Sequence, residues 1–129
     1  MPAIDQLQRV PLYHLESLGR QGIFTTGLLL EVSETPRRRQ YLADQIKATT
    51  NDVNAWRDEA LLLNLASFGP DEQVLFTQAG IIGLADLLAV DRHTFAERLA
   101  QSARVLGTEP PPDLLIEGWY EQAHTLREE

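Results

Sequence analysis

The chain has 129 residues, 43% hydrophobic and 23% charged, with a formal net charge of −8. That length suits one compact domain, residues 1–129, and the composition is that of a folded chain. The absence of cysteine excludes disulfides, thiolate metal sites and cysteine nucleophiles, and the acid excess opposes nucleic acid and anionic membrane surfaces at long range.

In chain order, a short apolar segment over residues 4–10 precedes Pro11, which opens a helix with Leu12, Leu15 and Leu18 expected on one buried face. Gly22 is placed to end it in the left-handed conformation. A short helix over residues 26–32 follows, capped by Thr25 or Thr26. Thr35-Pro36 is a strong helix start, a hydroxyl cap followed by proline in the first turn, leading to Tyr41, Leu42 and Ile46. Residues 49–52 break and recap the chain before a long amphipathic helix that carries Val53, Trp56, Ala60, Leu61 and Leu65.

The second half repeats this order. A helix over residues 70–79 is ended by Gly80, a short one covers residues 84–89, and Asp91 caps a helix that runs through Leu99 and Ala103 to Gly107. Pro110, Pro111 and Pro112 form a stiff connector, and Asp113 opens the last helix through Leu115, Trp119, Ala123 and Leu126. The final Arg127-Glu128-Glu129 sets two acids against the negative end of that helix, where fraying is expected. No segment sustains strand-like alternation, so the fold class is all-α.

Ile4, Leu7, Val10, Leu18, Gly22 and Ile23 are answered 58 positions later by Leu62, Leu65, Phe68, Phe76, Gly80 and Ile81. Trp56-x-x-x-Ala60-x-x-Leu63 is answered 63 positions later by Trp119-x-x-x-Ala123-x-x-Leu126, the extra residues falling around the prolines. The expectation is a tandem duplication of a four-helix unit, residues 4–66 and 62–129, containing a degenerate helix-hairpin-helix.

On the Gly22-Ile23-x-Thr25-Thr26-x-x-Leu29-Leu30 pattern, the paired Trp-x-x-x-Ala-x-x-Leu endings and the hairpin before Ala79-Gly80-Ile81, nearly the whole chain resembles a family of uncharacterised bacterial domains, often cyanobacterial, built of two helix-hairpin-helix-like repeats. The resemblance implies no established activity. Helix-hairpin-helix domains bind DNA through a glycine turn whose backbone amides approach a phosphate. Here Arg9-Val10-Pro11 has no glycine, and Ser67-Phe68-Gly69 keeps one, with Pro70 removing the next amide.

Arg37, Arg38 and Arg39 place three cations in the first turn of a helix, against its macrodipole. Two readings are open: a contact with an acidic partner surface or anion, and a solvated helix start screened by Glu31, Glu34 and Asp44. Trp56 and Trp119 read as core, and Tyr120 as an exposed contact. His14, His93 and His124 lie on different helices, read as surface or satisfied histidines, with no i, i+4 histidine or carboxylate partner of a metal site. No nucleophile turn, phosphate loop or acid/base pair is present, so no enzyme activity, metal or cofactor is expected.

The expected function is a non-catalytic adaptor, assembly or regulatory factor that binds another protein. The alternative is a nucleic-acid-binding helix-hairpin-helix module, and a homo-oligomer stays open. No run reaches the roughly 18 apolar residues of a membrane span, and the N-terminus has no basic-then-apolar leader, so the expected location is cytoplasmic.

Overall fold

The computed structural model describes residues 2–127, and among them all regular structure is helical. Glu128 and Glu129, on which the expected fraying falls, lie outside the described residues. The chain divides into two compact units, Met1–Asn64 and Leu65–Glu129.

The first unit opens with a 3-10 turn (Ile4–Gln6) and holds α1 (Leu12–Arg20), α2 (Thr26–Val32), α3 (Pro36–Ile46) and α4 (Thr50–Leu63). Each start has a local cause. Thr25 accepts the Leu28 amide at 3.1 Å and Thr35 the Arg38 amide at 3.2 Å, and Pro36 occupies the first turn, where its missing N–H costs nothing. Thr49 and Asp52 form a reciprocal capping box, 3.1 Å one way and 3.0 Å the other. At the helix ends, Gly22 stands at φ 79° while the Ile23 amide reaches back to the Leu18 carbonyl at 2.9 Å. Lys47 ends α3 in the same left-handed conformation without being glycine.

The second unit holds α5 (Pro70–Gln78), α6 (Leu84–Leu88), α7 (Arg92–Leu106) and α8 (Asp113–Arg127). Ile81 bonds back to Phe76 at 2.9 Å around Gly80, and Thr108 to Ala103 at 2.9 Å around Gly107. Asp91 accepts the Thr94 amide at 2.7 Å, and those hydrogen bonds hold its carboxyl below the usual aspartate range.

Each unit has its own core. In the first, α4 supplies Val53, Trp56 and Ala60, while α1, α2 and α3 supply Leu18, Leu29 and Ile46, all buried. In the second, Phe76, Phe95 and Trp119 meet edge to face, with Phe76 at 5.7 Å from Phe95 and 5.1 Å from Trp119 between ring centroids.

Three expectations change, for the face of α1, for His14 and for the end of α4. Leu12 is 71% exposed and Leu15 only half-buried, because α1 turns His14 and Leu18, four residues apart, toward the core. His14 is therefore neither a surface nor a satisfied histidine: its ring lies 5.1 Å from Trp56, and its Nδ1 has no hydrogen-bond partner among the described residues. Tyr41 is 66% exposed, leaving Leu42, Ala43 and Ile46 as the buried side of α3. The long α4 stops at Leu63, two residues short of Leu65, which is nonetheless buried.

Candidate functional site

The three consecutive arginines at the start of α3 have separate roles. Arg39 donates from Nε to the Ser33 carbonyl at 2.9 Å and from Nη2 to the Glu34 carbonyl at 3.2 Å. Arg38 reaches the Glu31 carbonyl at 3.4 Å and stands 3.9 Å from the Glu34 carboxylate. From α4, Arg57 donates to the Leu30 carbonyl at 2.9 Å and to Ser33 Oγ at 2.7 Å, while Ser33 Oγ itself donates to the Leu29 carbonyl. Burial and then the nearby Arg39 lower the Arg57 pKa.

Three guanidinium groups thus converge on the carbonyl end of α2, the negative end of its dipole. That explains why cations stand at the start of α3: their counter-charge is the end of the preceding helix. Arg37 takes no part in this. It is exposed and makes no hydrogen bond or ion pair with a described residue.

Arg37 and Arg38 instead rim a groove of about 540 Å³ whose apolar wall is Ile23, Val32, Tyr41 and Leu42. Ile23 and Leu42 are buried behind it, whereas Val32 is 37% and Tyr41 66% exposed. Leu28, one helical turn before Val32, is also exposed, so the apolar strip runs along α2. An exposed aromatic and aliphatic strip with an arginine rim is suited to a ligand that brings both apolar surface and a carboxylate.

The turn before α5 is differently built. Ser67 adopts φ 58°, and Phe68 turns inward, its ring 4.9 Å from Phe76 and 6.3 Å from Trp119. The Gly69 amide donates to Glu72 Oε1 at 2.9 Å, and Asp71 adds a second acid to the same helical turn. In the first unit the Gln8 and Arg9 amides donate to the Glu59 carboxylate at 2.6 and 3.0 Å. Both amide clusters already hold a carboxylate of the chain itself.

Glu59 was not singled out from the sequence, yet it is 1% exposed and fastens the N-terminal segment to α4. In the second unit Gln122, 63 positions on, accepts the Ala66 amide with Oε1 at 3.0 Å, Ala66 being 58 positions after Gln8. The signal was present: Glu and Gln each stand three residues after a tryptophan. Trp119 also donates to the Ala66 carbonyl at 2.8 Å.

Tyr120 is half-buried. Its hydroxyl donates to the Val90 carbonyl at 3.4 Å and its ring lies 6.1 Å from Phe95 and 4.3 Å from His124. His93 pairs with Glu97 one helical turn on, Nε2 to carboxylate oxygen at 2.6 Å, a two-residue contact on the surface of α7. Among the described residues no group of three or more His, Asp or Glu side chains is placed to hold a metal ion, and no helix is long and apolar enough to cross a membrane.

No curated protein and no solved structure matches the chain significantly. A family model does match, over residues 13–126, nearly the whole of both units. The chain belongs to the DUF4332 family, a domain of unknown function.

Proposed function

We propose that the protein is a non-catalytic adaptor, assembly or regulatory factor of the bacterial cytoplasm, and that it takes a protein partner in the groove beside α3. The observation that carries this reading is Arg37: an exposed cation without a side-chain partner among the described residues, at the lip of an apolar groove. Arg38 and Arg39 are occupied with α2, so Arg37 is the residue whose charge is spare for a partner.

We also read the two units as a duplicated four-helix element of helix-hairpin-helix ancestry. Support comes from the paired hydrogen bonds of Gln8 with Glu59 and Ala66 with Gln122, and from the glycine-centred helix ends at Gly22 and Gly80. The rival reading, nucleic-acid binding, is weakened because Glu72 and Glu59 occupy the amides that a phosphate would use.

The test is capture from a native lysate of the source organism, with and without nuclease, comparing wild type with Arg37→Glu. A discrete protein that survives nuclease and is lost with the variant is the expected result. Recovery of only generic nucleic-acid binders that vanish with nuclease would sink the adaptor reading.

A further inference from the structure

The charge of the chain is unevenly divided. Residues 1–64 carry seven basic and eight acidic side chains, residues 65–129 four and eleven. Nearly all the net negative charge therefore belongs to the second unit, whereas the arginine-rimmed groove belongs to the first.

The second unit also presents the most exposed large apolar side chain of the described residues, Leu114 at 81%. It closes the segment Glu109-Pro110-Pro111-Pro112-Asp113-Leu114, in which acids flank three prolines. Glu109, Pro110, Pro111 and Pro112 line a cavity of about 610 Å³ with Leu75 and Trp119 of the same unit, and Pro110, Pro112, Asp113 and Leu114 are exposed. Neither Glu109 nor Asp113 makes a hydrogen bond or ion pair with a described residue. Because proline fixes φ, the segment is already ordered and loses little entropy on docking.

We propose that this segment of one copy docks in the arginine-rimmed groove of a second copy, so that the protein associates head to tail. The inference rests on the reading of the groove as a docking site. Proline rings and Leu114 cover the exposed faces of Val32 and Tyr41, as proline-rich segments cover aromatic-lined grooves in general. Asp113 supplies the carboxylate that Arg37 lacks. The contact is small and belongs to the weak class, with a Kd of about 10⁻⁴ M.

The experiment is sedimentation velocity on the full chain up to about 1 mM, roughly ten times that Kd, for wild type, Arg37→Glu, Asp113→Arg and an equimolar mixture of the two variants. Circular dichroism and thermal melting verify that each variant is folded. Wild type is expected to form larger species with rising concentration, and each variant alone to associate about tenfold more weakly or not at all. The mixture should recover association, because each variant keeps the surface that the other has lost.

A wild type that stays monomeric throughout the range overturns the proposal, as do single variants that associate like wild type, or folded variants whose mixture does not recover. The two readings fail separately. A monomeric wild type that still captures a protein through Arg37 leaves the adaptor reading standing. Recovery in the mixture with no captured partner leaves self-association standing and removes the adaptor.

Discussion

Arg37 and Arg39 are two positions apart, yet their surroundings give them opposite tasks. Arg39 spends its guanidinium on two carbonyls at the end of α2, so Arg39→Ala should destabilise the first unit by about 1.5–3 kcal/mol, the usual worth of a hydrogen bond involving a charged group. Arg37→Ala removes no internal bond and should leave stability within about 0.5 kcal/mol. Chemical denaturation of both variants checks the contrast. Equal losses would mean that Arg37 is structural, and its part in docking would then have no basis. At the same scale, Glu59→Gln keeps an oxygen acceptor like that of Gln122 and should cost no more than about 1 kcal/mol. Glu59→Leu leaves two amides without an acceptor and should cost about 2–4 kcal/mol. A leucine variant as stable as wild type would show that water satisfies those amides instead.

At the scale of the element, the helix ends were legible and the helix faces were less so. Thr35 and Asp91 could be identified as caps, Thr25 as one of two candidates and Thr49 within the run 49–52, because capping is a local interaction between a side chain and an amide two or three residues on. Thr49→Ala, which opens the box with Asp52, should therefore cost about 1 kcal/mol in denaturation. The inward face of α1 was misread because leucines three apart at Leu12, Leu15 and Leu18 mimic a stripe, whereas the neighbouring helices select His14 and Leu18. Such selection is tertiary, and periodicity does not contain it. The groove was half legible: the arginine run stood out, but only the structure separates Arg37 from Arg38 and Arg39, since their partners lie at the end of another helix. The cap at Asp91 has a pH signature. Its folded pKa lies below the ordinary value of 3.8, so its contribution is fully present above that value and fades as the pH falls through the lower folded pKa. Asp91→Asn retains a capping oxygen but no titration, so the stability difference between wild type and this variant should shrink on acidification below 3.8. A difference that stays constant from neutral pH to pH 2 would remove the charged cap as its cause.

For the whole molecule, the division of charge bears on nucleic acid most directly. A protein gains affinity for DNA by placing cations and free amides against phosphates, and it releases counterions as it does so. Here the turn that most resembles a phosphate-binding hairpin, Ser67-Phe68-Gly69, lies in the unit with eleven acids and four bases, and its remaining glycine amide is tied to Glu72. The arginines that would attract phosphate lie in the other unit, and two of the three are engaged with carbonyls. Fluorescence anisotropy of a labelled duplex should therefore show no binding at physiological salt up to about 10⁻⁴ M protein, the weak limit of ordinary nonspecific association. Removing the internal anion tests whether the turn itself can hold a phosphate. If Glu72→Gln alone produces binding that collapses steeply with salt, the turn retains phosphate-binding geometry and Glu72 is what silences it. If wild type already binds in that manner and Arg37→Glu does not weaken it, the hairpin is a working nucleic-acid surface and the groove beside α3 is not where the protein meets its partner.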